Sequence, residues 1–318
     1  MRVLTRAQTA EFLNENDNYV ILTHRRPDGD TLGSAALLCR GLRKLGKTAH
    51  ILRNPEITEK YAHLHEGLTT DTVKDGDIFV AVDTASRGML PEAFSQYADR
   101  ITLRIDHHAT ADSYTDYELV EPEAAACGEP VARVLSLMGV QLDKPMANAL
   151  YTAISTDTGC FRYANTTAET FEVAAHCAHN GADLFAINQA LFETRSLGRL
   201  RLEGWLIENM LFLQDGKIAI CALPKAKEEE LGLTEDDLEN ISGFPRSIEG
   251  VKIAATIRED GENRVKISVR AVPGYDAAAI CAQFGGGGHK GAAGASMSCT
   301  LDEAVAAIKD VLLKASLV

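Results

Sequence analysis

The sequence predicts an α/β protein in which a doubly wound, mainly parallel sheet is joined by a connecting helix to a smaller α/β domain with a mixed sheet. Three observations favour this fold class. Short β-branched segments alternate with helical patterns through the first 185 residues, as in parallel sheets covered by helices. After residue 214, strands follow one another with a turn between two of them. A length of 318 residues suits two domains of roughly 100 to 200 residues each.

The elements of the first domain follow in order along the chain. Three apolar segments read as buried strands that end in a polar residue: YVILTH (19–24), DIFVAVD (77–83) and RITLRID (100–106). Four segments have apolar residues at helical spacing: 31–46, 129–139, 146–157 and 167–181. Because ligands bind beyond the carboxyl ends of parallel strands, we expect the functional site at that edge of the sheet.

The second domain is predicted to contain a hairpin and two helices. A connecting helix is expected over 191–212, and further elements are expected as strands at 216–223, 251–258, 264–270 and 294–299. The turn DGEN (260–263) joins two of these strands, and a helix around 276–283 runs into four glycines. Thr300 and Glu303 form a capping box for the last helix. The predicted domain limits are therefore 1–190, a linker at 191–214, and 215–318.

Composition and charge exclude several classes of protein. With 45 acidic and 32 basic residues the formal charge is −13, which argues against a protein that coats long nucleic acids but not against a short nucleotide ligand. The 7 cysteines include no CxxC pair, as expected for reduced thiols of a cytosolic protein. No apolar run approaches the roughly 20 residues that span a bilayer, and the N-terminus has no apolar signal core. We expect a soluble, cytoplasmic protein with no membrane partner.

Acidic residues and histidines are concentrated where predicted strands end. Eight such side chains follow a strand or close an apolar helix: His24, Asp28, Asp30, Asp83, Asp106, His107, His108 and Asp157. Any one of the aspartates could serve a turn or a helix N-cap. Together, however, several carboxylates in one crevice repel unless cations neutralise them. The sequence therefore predicts a metal site at this edge of the sheet.

The ligand types restrict the metal. Six oxygen and imidazole ligands exceed what one tetrahedral zinc uses, and the pattern contains no cysteine. Mixed carboxylate and imidazole ligation suits Mn²⁺, with Mg²⁺ or Co²⁺ as substitutes. Two such ions about 3.5 to 4 Å apart form the clamp used for displacement at phosphorus. Asp83, alone at the end of its strand, is the natural candidate to bridge them.

The motifs resemble those of the DHH phosphoesterase family. The resemblance lies in HRRPDGD (24–30), VDT (82–84), DHH (106–108) and STDTGCFRY (155–163). The C-terminal part resembles the DHH-associated domain, through FPRSIEGV (244–251), KISVR (266–270) and FGGGGHKGAAG (284–294). Length and layout are most similar to small oligoribonucleases that also act as 3′,5′-bisphosphate nucleotidases.

This resemblance implies a role for each candidate residue. One Mn²⁺ would be held by His24, Asp28 and Asp83, and the other by Asp30, Asp83, His107 and Asp157. The DHH motif would supply two further catalytic residues, with His108 facing the scissile phosphate and Asp106 orienting a histidine. Water activated by the two ions would then hydrolyse short RNA oligonucleotides to mononucleotides, or 3′-phosphoadenosine 5′-phosphate to AMP. A homodimer is one of the assemblies left open.

The glycine segment predicts phosphate binding. Gly286, Gly288 and Gly291 satisfy GxGxxG but follow a helical pattern, so a dinucleotide fold is not expected. Consecutive glycines instead expose backbone N–H groups that suit a phosphate. The predicted substrate-binding residues, some of them implied by the resemblance, are Gly286, Gly287, Gly288, His289, Arg270, Arg246 and Arg162. For the last two, surface or inter-domain salt bridges are an equal alternative.

Two other functions stay open at this stage. Within the same fold the alternative substrate is a cyclic dinucleotide such as cyclic di-AMP, or its linear product. From another class, a nucleotide-binding regulatory module without turnover would share the fold, but the complete ligand set argues against it. The sequence leaves the preferred substrate undecided.

Overall fold

The computed structural model describes residues 1–108 and 113–314. The chain forms two compact units, of which the first ends at Thr194 and the second begins at Arg195. The functional domain limits inferred from the sequence stay a prediction. Within the described residues, none of the helices has the length and apolar character needed to cross a membrane.

The first unit is built on a fully parallel sheet. Its strands are β1 (Arg2–Val3), β2 (Tyr19–Leu22), β3 (Ala49–Leu52), β4 (Thr69–Thr70), β5 (Ile78–Val82), β6 (Ile101–Asp106) and β7 (Tyr117–Val120). They lie in the order β1-β7-β6-β5-β2-β3-β4, and each neighbouring pair is parallel. The order reverses between β2 and β5, which is the point where such sheets bind ligands.

Helices and short turns cover both faces of this sheet. The helices are α1 (Arg6–Glu15), α2 (Gly29–Lys44), α3 (Glu59–Ala62), α4 (Gly128–Leu137), α5 (Lys144–Asp157), α6 (Ala168–His179) and α7 (Leu184–Asn188). Alternate strand residues such as Ile21 and Val80 pack against α2, α4 and α5. Their neighbours Val20 and Phe79 pack against Phe94, in a 3-10 segment on the other face. The predicted doubly wound sheet is confirmed.

A close helix crossing fixes two parts of the predicted site. A Cβ atom on Gly33 of α2 would lie 2.4 Å from the carbonyl oxygen of Ala149 on α5. Only glycine permits that approach, because any side chain would push against the backbone of the neighbouring helix. The first turn of α2 carries Asp30 and α5 ends at Asp157, so this crossing sets the spacing of their two helices.

The second unit contains the predicted mixed sheet. Its strands are β8 (Leu211–Leu213), β9 (Ile218–Leu223), β10 (Ile253–Glu259), β11 (Val265–Ala271), β12 (Gly287–Gly288) and β13 (Ala292–Met297). Their order is β12-β13-β11-β10-β9-β8; β9 and β10 are parallel, and the other pairs are antiparallel. Its helices are α8 (Leu197–Glu208), α9 (Lys225–Glu230), α10 (Glu235–Leu238), α11 (Ala277–Ala282) and α12 (Leu301–Lys314).

Two local predictions for this unit are confirmed, and the connecting helix is shorter than expected. The strands around DGEN form an antiparallel hairpin, and Thr300 and Glu303 exchange the bonds of a capping box at the start of α12. The connecting helix expected over 191–212 forms over a shorter range, as α8. It begins after Ser196, whose hydroxyl accepts a 2.8 Å hydrogen bond from the Arg199 N–H and so caps the helix. The segment then ends in the strand β8.

Candidate metal centre

The predicted metal-binding side chains meet where the strand order reverses. His24 follows β2, Asp83 follows β5, and the DHH segment begins on the last residue of β6. The helices α2 and α5 bring the remaining carboxylates to the same edge. Three groups of donor atoms lie within 4.8 Å of one another: His24 with Asp28 and Asp83, Asp30 with His107 and Asp157, and Asp83 with His107 and His108.

The first group is organised around His24. The Nδ1 atom of His24 lies 2.8 Å from the carbonyl oxygen of Arg25, which only accepts hydrogen bonds, so Nδ1 carries the proton in the neutral ring. Nε2 therefore keeps its lone pair, as a metal ligand requires. It lies 3.4 Å from Asp83 Oδ2 and 3.7 Å from Asp28 Oδ1. Asp28 also caps α2, where its side chain accepts bonds from two backbone N–H groups.

The second group repeats this arrangement around His107. Its Nδ1 lies 3.1 Å from the carbonyl oxygen of Ala124, which again assigns the proton to Nδ1. Nε2 lies 3.5 Å from Asp83 Oδ1, 3.5 Å from Asp157 Oδ2 and 3.7 Å from Asp30 Oδ2. Three carboxylates thus face one imidazole nitrogen.

Asp83 lies between the two histidines around which these groups are organised. It is 3% exposed, and its two carboxylate oxygens face different histidines, Oδ2 toward His24 and Oδ1 toward His107. Oδ1 has no hydrogen-bond partner among the described residues, although it is buried. A buried carboxylate oxygen without a donor is costly unless a cation compensates it. The donor set therefore fits divalent metal ions.

The N-terminus of α4 orients Asp30 in a way that the sequence did not predict. Asp30 is buried, and its carboxylate accepts bonds from Cys127 N at 2.6 Å, Gly128 N at 3.1 Å and Ser34 Oγ at 2.9 Å. Free N–H groups at a helix N-terminus favour negative charge, so α4 stabilises this carboxylate. Residues 127 and 30 are too far apart in the chain for a local motif to have revealed the contact.

His108 is held by the first residue of the DHH motif. Its Nδ1 lies 2.8 Å from Asp106 Oδ1, which also accepts the backbone N–H groups of His107 and His108. Asp106 is fully buried, and although burial opposes its ionisation, the bond from His108 lowers its pKa overall. The same bond raises the pKa of His108. The histidine that Asp106 orients is therefore His108.

Crowding in the cluster raises the pKa values of three of its members, Asp157, Asp30 and His107. Burial, together with the charge of Asp83, raises the pKa of Asp157 to about 7. Burial and the same neighbouring charge raise the pKa of Asp30 well above its ordinary value. Although burial opposes it, contact with the surrounding carboxylates raises the pKa of His107 to about 11. A divalent cation would displace these protons, so its binding should depend on pH.

The predicted substrate-binding residues belong mainly to the other unit. Arg270 on β11 lies opposite Ala292, and the N–H of His289 donates to Ala292 O at 2.8 Å, so these residues share one end of the sheet. Arg246 is exposed in the 3-10 turn Pro245–Ser247. In the first unit, the exposed Arg162 donates through Nε to the Gly159 carbonyl oxygen at 2.5 Å.

The glycine segment is an edge strand of the second sheet. Gly287 and Gly288 form β12, which pairs with Ala293 and Gly294 of β13. A Cβ atom on Gly286 would lie 2.2 Å from the carbonyl oxygen of Gly294, so glycine is required there by packing. Packing therefore explains a glycine in this segment, in addition to the phosphate binding that the sequence predicts for it.

Comparisons with known proteins agree with this architecture. A family model described as the DHH family, N-terminal domain, matches residues 18–154, and one described as the DHHA1 domain matches residues 215–314. The bifunctional oligoribonuclease and PAP phosphatase NrnA of Thermus thermophilus is 34% identical over 291 residues, 89% of this chain and 86% of that protein. Cyclic-di-AMP phosphodiesterase GdpP of Geobacillus thermodenitrificans is 26% identical over 98% of this chain, which covers 49% of that protein.

A solved structure extends the agreement to the fold. The crystal structure of an exopolyphosphatase-related protein from Bacteroides fragilis superposes with a TM-score of 0.88 and 26% identity, covering 97% of this chain and 95% of that one. Fold, site and relatives together define the class: the protein is a hydrolase of phosphoric esters with a site that can bind metal ions. The chain belongs to the DHH family of phosphoesterases and carries a DHHA1 domain.

Proposed function

We propose that the protein binds two Mn²⁺ ions and uses them to hydrolyse short oligoribonucleotides and 3′-phosphoadenosine 5′-phosphate. The observation that carries this proposal is the position of Asp83, whose two oxygens face His24 and His107 in two separate donor groups. His24, Asp28 and Asp83 would hold one ion. The other would be held by Asp30, Asp83, His107 and Asp157.

Mn²⁺ fits this donor set better than its competitors. The two groups combine imidazole nitrogen with carboxylate oxygen, whereas Mg²⁺ prefers oxygen and water, and a structural zinc site would draw on cysteine. Bound divalent ions would supply Lewis-acid stabilisation of the phosphoryl charge and lower the pKa of water at the site. Mg²⁺ or Co²⁺ would substitute with lower activity.

The protein side chains position the reactants and move protons. His108 is bonded through Nδ1 to Asp106, so its other ring nitrogen is left to donate a proton. This contact raises the pKa of His108. The ring therefore stays protonated to a higher pH than the ring of a free histidine does. We propose that His108 protonates the leaving ribose oxygen or stabilises the phosphoryl charge.

The relatives indicate the substrate class. The Thermus protein is named for oligoribonuclease and PAP phosphatase activities, and this chain covers 86% of its length. Both substrates are small nucleotides, and each carries at least two phosphate groups when the oligoribonucleotide has a 5′-phosphate. One phosphate would be hydrolysed at the metal centre. As the sequence predicts, Arg270, His289 and the glycines 286–288 would bind substrate phosphate, with Arg246 and Arg162 as additional contacts.

A substrate panel tests this function. Purified protein should release mononucleotides from a di- to pentaribonucleotide and phosphate from 3′-phosphoadenosine 5′-phosphate, faster with Mn²⁺ than with Mg²⁺. Asp83→Ala should abolish both activities, because it removes the carboxylate common to both donor groups. Asp71→Ala is the matched control, since Asp71 is an exposed aspartate paired only with Arg53 among the described residues. Full activity of Asp83→Ala would contradict the proposal.

Cyclic di-AMP is the second candidate substrate. The similarity to GdpP favours it, although this chain spans only about half of that protein, 49%. Turnover of cyclic di-AMP that exceeds turnover of the linear dinucleotide would make this the principal activity. Cytoplasmic localisation and a homodimeric state stay predictions.

A further inference from the structure

A buried arginine lies beside the metal centre and has no part in the proposed chemistry. Arg104 is on β6, shortly before the DHH segment, and it is 1% exposed. A guanidinium group keeps its charge in proteins, so its burial is unfavourable unless several partners compensate it. The partners of Arg104 indicate what this arrangement achieves.

The Arg104 side chain joins three segments of the first unit. Nη2 donates to Glu118 Oε2 at 2.6 Å, from the residue directly opposite on β7. Nη1 donates to the carbonyl oxygen of Ala85 at 3.1 Å, in the loop that follows β5. Nη1 also lies 3.7 Å from Asp106 Oδ2. One buried cation thus connects β7, the end of β6 and the loop that carries Asp83.

Tyr114 completes this arrangement. Its buried hydroxyl donates to the carbonyl oxygen of Thr84 at 2.7 Å, and the Arg104 guanidinium lies 5.2 Å from the centre of its ring. The two carbonyl groups that follow Asp83 therefore each accept a hydrogen bond, from Tyr114 and from Arg104 respectively. We call these two side chains the loop clamp.

The loop needs such support because of its backbone conformation. Asp83 has a φ angle of +52°, in the left-handed region that residues with side chains seldom occupy. Such conformations persist only where the surrounding structure restrains them. The Asp83 N–H donates to Ile105 O at 3.0 Å, and the loop clamp restrains the next two carbonyl groups. These restraints fix the direction in which the Asp83 carboxylate projects.

We propose that Arg104 and Tyr114 are positioning residues, which hold the loop after β5 in the strained conformation that presents Asp83 to both ions. This inference rests on the two-ion site proposed above. The loop clamp thus preorganises the metal site. This role differs from a general contribution to the stability of the sheet. Neither side chain is expected to touch substrate or metal.

Two variants with a matched control test the clamp. Tyr114→Phe removes one hydroxyl and keeps the ring. Tyr19→Phe is its control, because the buried Tyr19 hydroxyl also donates to a backbone carbonyl, that of Leu13 at 2.9 Å, at the opposite end of β2 from His24. The pair Arg104→Met with Glu118→Met removes both buried charges together, which avoids leaving one of them unpaired.

Amide hydrogen exchange of the metal-free protein is the first measurement. We expect residues 83–90 to exchange about tenfold faster in Tyr114→Phe than in the wild type, with β2 unchanged. Calorimetric titration with Mn²⁺ is the second, and there Tyr114→Phe and the double variant should bind about tenfold more weakly than Tyr19→Phe. For a dinucleotide, kcat should fall while KM stays within about twofold.

The outcomes separate this inference from the function on which it rests. If the wild type binds no Mn²⁺, the two-ion site itself is wrong. If the wild type binds Mn²⁺ and Tyr114→Phe matches Tyr19→Phe in exchange and affinity, the clamp has no positioning role and the inference is overturned. Should the double variant fail to fold, Tyr114→Phe decides the question alone.

Discussion

Single hydrogen bonds decide which ring nitrogens can bind a metal. In His24 and His107 a backbone carbonyl accepts the hydrogen bond from Nδ1–H, so Nε2 is the ring nitrogen that faces the carboxylates and that a metal ion would bind in place of a proton. In His108 the Nδ1 partner is the carboxylate of Asp106, which favours the charged ring. Three histidines in one cluster are thereby prepared for different tasks. The DHH motif supplies both kinds of histidine from adjacent positions.

Asp106→Asn tests the separation of these tasks. The variant keeps the size of the side chain but weakens the hold on His108 and lowers its pKa. We expect kcat for a dinucleotide to fall about 100-fold, the lower end of the range for a general acid. The Mn²⁺ affinity should change little, because Asp106 belongs to none of the three metal-facing groups. A large loss of affinity measured by calorimetry would instead make Asp106 a support of the metal ligands.

His65 provides a prediction about acid stability. It is 3% exposed, its Nε2 bonds to the Leu32 carbonyl oxygen at 3.0 Å, and burial lowers its pKa to about 4. Since the unfolded chain takes up the proton near pH 6.5, stability is lost as pH falls from 6.5 through 4, by about 3 kcal/mol in total. Chemical denaturation of His65→Gln should show a shallower decline over that window.

His63→Gln is the control for this measurement. His63 is exposed two positions away, and its replacement should leave the pH dependence of the wild type intact. An equally steep decline in His65→Gln would mean that other groups, such as the carboxylates, account for the acid sensitivity.

At the scale of elements, helix contacts set the spacing of the site. Helix α2 carries Asp30, and helix α5 carries Asp157. The close approach of the two helices depends on Gly33, which lies against the α5 backbone at Ala149. Gly41, further along α2, meets the flexible side chain of Leu135 instead. A Cβ atom is therefore more disruptive at Gly33, where a backbone has to move, than at Gly41, where a side chain can adjust.

The variants Gly33→Ala and Gly41→Ala test this difference. We expect Gly33→Ala to lower the free energy of unfolding by about 3 kcal/mol and Gly41→Ala by about 1 kcal/mol, the two ends of the range for overpacking. Gly33→Ala should also weaken Mn²⁺ binding, because it moves Asp30 relative to Asp157. Thermal unfolding and calorimetry on both variants measure these effects. Equal destabilisation, with equal metal affinity, would refute the role assigned to the crossing.

The strands that the sequence predicted are those with a clear apolar pattern. The strands before His24, Asp83 and Asp106 are apolar and bounded by polar residues, so the sequence predicted them. The strands β3 and β7 are as short as β2, but they include the polar residues His50 and Glu118, and they form because neighbouring strands pair with them. Tertiary context overrides a weak local pattern in such cases.

The part of the site that lies at the ends of strands was predictable from the sequence. Carboxyl ends of parallel strands meet at one edge, so the metal-facing side chains could be inferred to converge. Contacts between distant segments could not be inferred, among them the α4 N–H groups on Asp30 and the loop clamp around Asp83. Arg104 reads as one polar residue in a strand, and only the structure reveals its burial.

At the scale of the whole molecule, the charge of −13 includes carboxylates that repel one another until cations bind. In the metal-free protein the raised pKa values of Asp157 and His107 mean that this cluster loses stability as pH rises through about 7 and on toward about 11. Bound divalent ions would remove that loss. The metal centre is thus expected to link folding, pH and metal concentration.

Metal removal is therefore predicted to destabilise the first unit, and more at higher pH. Adding Mn²⁺ at about 100 times its dissociation constant should stabilise the protein by about 2.7 kcal/mol. Thermal unfolding with Mn²⁺ and with EDTA at pH 6 and pH 8 measures this, and the difference should be larger at pH 8, because fewer protons compete for the ligands. A difference that shrinks with rising pH would contradict the account.

The most direct test of the central claim is anomalous diffraction at the manganese edge from crystals grown with Mn²⁺. Two ions that share Asp83 require two anomalous peaks, about 3.5 to 4 Å apart, one beside His24 and Asp28 and the other beside Asp30, His107 and Asp157. The Asp83 carboxylate should contact both peaks. A single peak, or two peaks of which only one touches Asp83, would contradict the two-ion site.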